Sequence, residues 1–492
     1  MRAALIAVTV GALGAGAGIF VAASSTGPRT HPRTDSTTRP TSAPTTTAPP
    51  PVWRVAWGSA MAWGFGTASN ATIRDLATIP VGGQAVRLRI SNAFGSGPLA
   101  LGAATVGLQS TGATVVPGSL HPVTFNGAPT VTIPAGSVSY SDPVALPVTP
   151  GQVLSVSIYV SNADLVTVHP CCTGLVTSPT ASYFTANGAG DLTGATGPGG
   201  FAGAGPWERL LDAVDVLQTT GKGSIVVVGD SITDGFNSTL RWTDVLQKRI
   251  DTLPPDEQRA VVNEGITANT LTDTARSDAT TGGGPPGLSR LSRDALSQAG
   301  VSEVVLFLGT NDLWFGATAQ QVIAGLQQAI TMAHSAGVRI YGVTLLPREA
   351  GPEPWSPAQQ AELEQVNQWI LTSGSFDGTL NFATAVADIY NGTCSPTGMF
   401  PPYDSGDHLH PNAAGETAMA NAVDTVLLGM GPTPPVPPLV AVTPTPNCAG
   451  VPGIPAAAPP STTTTAPPST TTTAPPSTTT TAPPSTTTTS HP

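Results

Sequence analysis

Residues 224–235 read Ser-Ile-Val-Val-Val-Gly-Asp-Ser-Ile-Thr-Asp-Gly, an apolar run that ends abruptly in a polar string. An uncharged run of this kind suits a strand buried on both faces, and Gly, Asp and Ser are residues that leave a strand by a turn. The same grammar recurs downstream. Ala260-Val-Val262 leads into Asn263-Glu264-Gly265-Ile266, Glu303-Val-Val-Leu-Phe-Leu308 leads into Gly309-Thr310-Asn311-Asp312, and Val338-Arg-Ile-Tyr-Gly-Val-Thr344 supplies a further run. Between them, residues 319–336 and 357–371 carry apolar side chains at helical spacing, and a last helix is expected from Ala413 to Leu428. Strands that alternate with helices specify an α/β domain around a parallel sheet.

Upstream the texture changes. From Val52 to Gln218 short runs such as Ala85–Ile90, Thr130–Ile133 and Val153–Val160 alternate polar and apolar residues between Gly, Pro, Asn and Asp. That is the pattern of an antiparallel sandwich or jelly roll. We therefore expect an all-β domain over 52–218, the α/β domain over 219–430 and a C-terminal extension over 431–456. The flanks are different again. Residues 25–51 are Ser/Thr/Pro-rich, and the string Pro-Pro-Ser-Thr-Thr-Thr-Thr-Ala repeats through 457–492. Neither has the apolar content to build a core, so both are expected to be disordered, the second as a stalk of the kind that carries O-glycans.

Residues 1–24 begin Met1-Arg2, continue through small and apolar residues and end Val21-Ala22-Ala23-Ser24. This composition fits a signal peptide, or else a retained membrane anchor; either one implies export. A membrane is a partner only in the second case. Four cysteines, Cys171, Cys172, Cys394 and Cys448, are then expected to be oxidised. A Cys394–Cys448 bridge would staple the extension, leaving Cys171 and Cys172 as a vicinal disulfide or as thiols. Net charge is −11 and only 10% of the 492 residues are charged. With no Lys/Arg cluster, a phosphate backbone has no electrostatic hold, which excludes nucleic acid as a partner.

In an open parallel sheet, ligands bind beyond the carboxyl ends of the strands. Four polar turns converge there: Gly229–Gly235, Asn263–Ile266, Gly309–Asp312 and Gly406-Asp407-His408-Leu409-His410-Pro411-Asn412. A serine hydroxyl becomes a nucleophile when a base removes its proton, and histidine serves at neutral pH when a carboxylate fixes its tautomer. Ser231, His410 and Asp407 can fill these roles. The tetrahedral oxyanion needs preorganised donors, each worth about 2.7–4 kcal/mol. The Ser231 and Gly265 backbone N–H groups and the Asn311 amide are the candidates. No cofactor or metal is required.

These residues, in this order, resemble the successive blocks of SGNH (GDSL-like) hydrolases. The matching strings are Gly229-Asp230-Ser231, Gly265, Gly309-Thr310-Asn311-Asp312 and Asp407-x-x-His410. Arg89-Ile-Ser-Asn-Ala-Phe-Gly95 resembles the β-rich N-terminal region of a two-domain bacterial subgroup. The resemblance spans Trp53 to Gly429 and implies a flavodoxin-like hydrolase domain with a Ser/His/Asp triad and a Ser/Gly/Asn oxyanion hole. One departure is Ala268, where relatives often carry glycine.

Blander readings compete at each position. Gly-Asp-Ser is a good turn on its own, and Asn311 can simply cap one. His408 rivals His410 and can pair with Asp404. Asp234 and Asp312 suit structural acceptors. Trp242, Trp314, Phe315 and Trp355 can line an acyl or sugar pocket, but aromatics more often belong to the core. A metal held by Asp407, His408 and His410 lacks further ligands at motif spacing and is rejected. The resemblance implies ester hydrolysis through an acyl-serine. Its substrate is expected to be an acylated carbohydrate, with a cell-wall glycan as a further partner of the β domain. Lipase, lysophospholipase and acyltransferase activities share the same blocks. A non-catalytic wall-binding module is the rival of another class; decay of the site would show as a lost block, and none is lost.

Overall fold

The fully apolar core of Ser224–Gly229, with all six residues buried, is the central feature of the α/β part. The computed structural model describes residues 50–170, 181–219, 221–273, 283–348, 354–388 and 395–440. In the N-terminal part we label β1 (Val52–Gly58), β2 (Ala68–Ile79), β3 (Val86–Asn92), β4 (Leu99–Thr111), β5 (Ser137–Tyr140), β6 (Gln152–Ala163), β7 (Thr167–His169), β8 (Glu208–Arg209) and β9 (Leu211–Gln218). The parallel sheet comprises β10 (Ser224–Gly229), β11 (Val261–Gly265), β12 (Val301–Phe307), β13 (Arg339–Val343) and β14 (Gly378–Leu380).

The N-terminal strands pair antiparallel. One sheet runs β1-β9-β3-β5, and β6 lies between β2 and β4 in another. Leu88, Ile90, Leu154, Val156 and Val214 from these sheets join one apolar cluster. Alternation in β6 predicts one solvated face, yet Ser155 and Ser157 are as buried as their apolar neighbours. The chain at 190–201 lies over that face. Arg74 on β2 donates to Ser157 Oγ (2.8 Å) and to the Ala195 carbonyl (2.6 Å) and stacks on Phe201 at 4.2 Å. The buried arginine thus satisfies Ser157 on this face, whereas the Ser155 hydroxyl is buried without a hydrogen-bond partner among the described residues.

The parallel strands lie in the order β11-β10-β12-β13-β14. In sequence terms this is 2-1-3-4-5, the flavodoxin-like order, whose switch point falls between the first and third strands. The fifth strand, β14, is too short to stand out in the sequence. Helices Ala319–Ser335 and Pro357–Thr372 form at the expected places, each opened by a capping box, Thr318 with Gln321 and Ser356 with Gln359. The last helix is shorter than expected. It spans Ala413–Ala422 and stops where Val423 turns extended and Asp424 accepts the Val426 N–H (2.9 Å). Beyond it the chain folds back, with Asn421 exchanging two hydrogen bonds with the Val436 backbone (2.8 and 2.9 Å). The cysteines, residues 1–49 and the repeat tail lie outside the described residues. Among the described residues no helix is long and apolar enough to cross a membrane.

The β-rich and α/β parts share a polar seam. The Val55 N–H on β1 donates to the Ala299 carbonyl (2.8 Å), and the Ser224 hydroxyl donates to the Val55 carbonyl (2.5 Å). Arg89 pairs with Asp212 at 2.8 Å and also donates to the Arg293 carbonyl at 3.1 Å. Arg293 in turn donates to the Met61 carbonyl at 2.8 Å. Buried ion pairs of this kind fix register more than they add stability.

Candidate active site

Strand β10 ends at Gly229, and Asp230 starts a four-residue helix, α1 (Ser231–Asp234), by accepting the Ile232 N–H at 3.0 Å. This capping is what Asp does best at the position before a helix. It places Ser231 at the first helical residue, beyond the carboxyl end of the central strand, with 7% exposure. Burial pushes the Asp230 carboxyl up to about 7, with Asp312 adding to the rise and the Ile232 N–H and Arg290 opposing it.

The turn that ends in His410 reaches the same point. The Ser231 hydroxyl lies 2.8 Å from His410 Nε2, and His410 Nδ1 lies 2.6 Å from Asp407 Oδ2. A carboxylate only accepts, so the ring proton sits on Nδ1, and Nε2 accepts the seryl O–H. Asp407 receives three further donors: the His410 N–H (2.8 Å), the Leu409 N–H (2.9 Å) and the Asn237 amide (2.8 Å). Partial burial alone would raise its titration, but the His410 ring and these donors hold it well below the usual carboxylate range. It stays ionised throughout the range where the imidazole works. His408, two residues from His410, turns the other way and binds Asp404 at 2.6 Å. Of the two histidines, His410 is the one whose ring lies beside Ser231.

The oxyanion donors divide. Ser231 opens a helix, whose first N–H groups have no intrahelical acceptor. Asn311 leads off from β12 across the switch point, and its Nδ2 donates to the Asn269 carbonyl at 2.8 Å. Gly265 does not fit the role expected of it. Its N–H donates to Asn263 Oδ1 at 2.9 Å, within its own strand. The glycine is needed for another reason: a Cβ there would sit 2.5 Å from the Asp234 nitrogen and 2.9 Å from the Thr233 carbonyl carbon. Gly265 lets α1 pack directly on β11, an approach of helix to strand, not of backbone to substrate.

The turn after Gly265 shows what a glycine at position 268 would relieve. The Asn269 N–H donates to the Ile266 carbonyl (3.0 Å), and Ala268, the third residue of that turn, has φ +60°. A left-handed alanine costs about 1–2 kcal/mol, against the roughly 0.4–1 kcal/mol of chain entropy that glycine would add to the unfolded state. Ala268→Gly should therefore stabilise the protein by about 0.5–1 kcal/mol, read as a higher Tm. A lower Tm would show that the methyl group packs productively.

Asp312 and Asp234 are structural acceptors. Asp312 receives the Leu271 N–H (2.7 Å), the Thr272 N–H (2.9 Å) and the Thr272 hydroxyl (2.9 Å); Asp234 receives the Thr267 hydroxyl at 2.7 Å. Trp242 is fully buried against Phe382, which corrects the pocket reading for that residue. Trp314 and Trp355 flank Arg348, which lies 4.1 Å and 5.4 Å from their ring centres, and Phe315 is exposed. A cleft of about 660 Å³ between the β-rich part and helix Trp242–Ile250 is lined by Trp57, Tyr183, Glu208 and Arg241, and no triad residue borders it.

Several contacts could not be anticipated. Phe236 packs on the His410 ring at 4.8 Å, and Asn237 holds Asp407. Both follow the nucleophile string directly, the one signal that pointed at them. Arg290 gave none. It is 1% exposed and donates to the carbonyls of Gly229 (2.9 Å) and Glu264 (2.8 Å), to Asn269 Oδ1 (2.9 Å) and to Asp294 (3.2 Å).

Residues 227–418 match the model of the GDSL-like lipase/acylhydrolase family. Comparison with curated proteins gives no match. Among solved structures, an aryl esterase from M. smegmatis is 18% identical, with 42% of this chain and all of that one aligned at TM-score 0.33. Est24, a carbohydrate acetylesterase from Sinorhizobium meliloti, is 19% identical over 42% of this chain and 99% of its own, with TM-score 0.32. An acetylxylan esterase from Geobacillus stearothermophilus is 19% identical over 42% and 95%, with TM-score 0.33. The strand order, the four converging turns and the family match agree: residues 227–418 are a GDSL-like lipase/acylhydrolase domain.

Proposed function

We propose that this protein is an exported serine esterase that cleaves carboxylic esters through an acyl-Ser231 intermediate. The observation that carries the reading is the continuous relay from Ser231 through His410 to Asp407, at 2.8 and 2.6 Å. His410 Nε2 takes the seryl proton as Oγ attacks the ester carbon, then returns it to the leaving alcohol. It next removes a proton from the water that attacks the acyl carbonyl. Asp407 fixes the ring tautomer and stabilises the imidazolium. The Ser231 N–H and the second amide hydrogen of Asn311 serve the oxyanion.

The rim beside His410 supports an acylated carbohydrate as substrate. Asn237, Asp404 and His408 lie there, and the His408 side chain is 43% exposed. Polar donors and acceptors of this kind suit a hydroxyl-rich alcohol better than a lipid. Hydrolysis of p-nitrophenyl acetate, butyrate and palmitate, followed by acetate release from an acetylated polysaccharide, tests the reading. A preference for palmitate would overturn the carbohydrate assignment, and failure of a fluorophosphonate to label Ser231 would overturn the enzyme. Asn311→Ala should fold, with a loss near 1 kcal/mol from the Asn269 contact, yet lose about 10²–10³ in kcat. Full activity in that variant would refute the oxyanion role.

A further inference from the structure

His169 is the last residue of β7, in the N-terminal β-rich part, and is 4% exposed. Its Nδ1 lies 2.7 Å from the Ala60 carbonyl and its Nε2 lies 3.4 Å from Asp234 Oδ1. A carbonyl and an ionised carboxylate are both acceptors only, whereas a neutral imidazole carries one N–H. Both contacts are satisfied together only by the doubly protonated ring. Two carboxylates favour that state, Asp234 from α1 and Glu208 from β8; Arg241, whose guanidinium lies 3.8 Å from Asp234 on the chain leading into the next helix, opposes it.

Asp234 stands at a junction. It closes α1, the helix that Ser231 opens. Its Oδ2 accepts the Thr267 hydroxyl (2.7 Å) and N–H (3.2 Å), which fixes the turn Ile266–Asn269, and the Asn269 carbonyl in that turn receives the Asn311 amide. The β-rich part thus reaches the back of the site through the His169 ring, beside the apolar packing of Ala60 and Ala62 on Ile266. From this we infer that His169, as an imidazolium, is a positioning residue that holds the nucleophile helix and the Ile266–Asn269 turn in register. The inference rests on the acyl-serine reading.

Burial alone would strip the proton from His169, but the Asp234 carboxylate, then Glu208 and the Ala60 carbonyl, outweigh it and raise the ring above its ordinary value. A raised histidine contributes fully below its unfolded value, and the contribution is lost as pH rises through the folded value. The positioning should therefore fail on the alkaline side.

The test uses the full chain with p-nitrophenyl acetate. His169→Gln keeps a donor but no charge. It should melt cooperatively, lose about 10- to 100-fold in kcat with KM within about twofold, and lack the alkaline limb of the wild-type kcat profile. Active sites counted by the acylation burst should be undiminished, which separates slow turnover from a misfolded fraction. Long-range proton–nitrogen spectra, with His169→Gln as the assignment control, should show both ring nitrogens of His169 protonated at neutral pH. Wild-type kcat and pH profile in the variant, or a neutral ring, would overturn the inference. If His169→Gln does not fold, Asp234→Asn reads the pair from its other member, and an unchanged alkaline limb there overturns it equally. A wild-type protein that turns over no ester refutes the acyl-serine reading instead, and the ring spectrum still reports on His169.

Discussion

Ser231→Ala should abolish ester turnover, by about 10⁶-fold in kcat, without unfolding the protein. The size follows from the relay. With Oγ removed, His410 Nε2 has no nucleophile to deprotonate, and a water at that point lacks the orientation that the first residue of α1 gives the hydroxyl. Losses at serine, histidine and aspartate overlap because the three act as one unit; the remaining rate comes from oxyanion donors and binding. The stability change should be small. Ser231 contributes one hydroxyl, and its loss leaves an imidazole that Asp407 still holds at 2.6 Å and Phe236 still covers. The readouts are kcat on p-nitrophenyl acetate, the mass of the acylated chain after brief exposure to substrate, and Tm. A variant that keeps more than about one part in a hundred of the activity would place the nucleophile elsewhere.

What the sequence reveals about this site depends on how local each requirement is. The nucleophile turn, the Asp407/His410 spacing and Asn311 after a buried strand are short strings whose chemistry is carried by residue type, and all converge on one rim. Gly265 shows the limit of such reasoning. Glycine reports that space is short, but not whether a substrate or a helix fills it; only the packing of α1 on β11 answers that. The two-sided burial of β6 has a similar cause, since alternation along a strand cannot foresee a loop 35 residues away covering the polar face. Arg290 and His169 are less visible still. Arg290 reaches back to Gly229 and His169 forward to Asp234, each more than 60 residues away, and no periodicity or motif marks them. The early end of the last helix is a local competition, in which the Asp424 side chain satisfies a backbone N–H that another helical turn would have used.

Arg290→Met should destabilise the protein by about 3–5 kcal/mol, as much as Arg290→Ala does. The equality of the two is the informative part. A buried ion pair replaced by apolar groups of similar volume can cost little, because the desolvation of both charges is recovered. Here Asp294 is not the main partner lost, since Arg293 still holds it at 2.5 and 2.9 Å. Asn269 Oδ1 loses its guanidinium donor, and the Gly229 and Glu264 carbonyls each lose one, Gly229 keeping the Ile266 N–H at 3.1 Å; methionine fills the volume without answering any of them. Each unsatisfied buried acceptor costs about 1–3 kcal/mol, and relaxation shares the loss among them. Arg290→Lys should recover less than half, because a single ammonium cannot span carbonyls on two strands and an amide as a planar fork does. Urea unfolding at constant m-value measures the differences. A methionine variant within about 1 kcal/mol of wild type would mean that water or a neighbouring group can satisfy the strand ends, and that Arg290 is only filling space. If the loss has the expected size, the ends of the paired strands that deliver Ser231 and the Ile266–Asn269 turn are held by the Arg290 guanidinium in addition to their own ladder. Stability and catalysis then share a residue that touches no substrate.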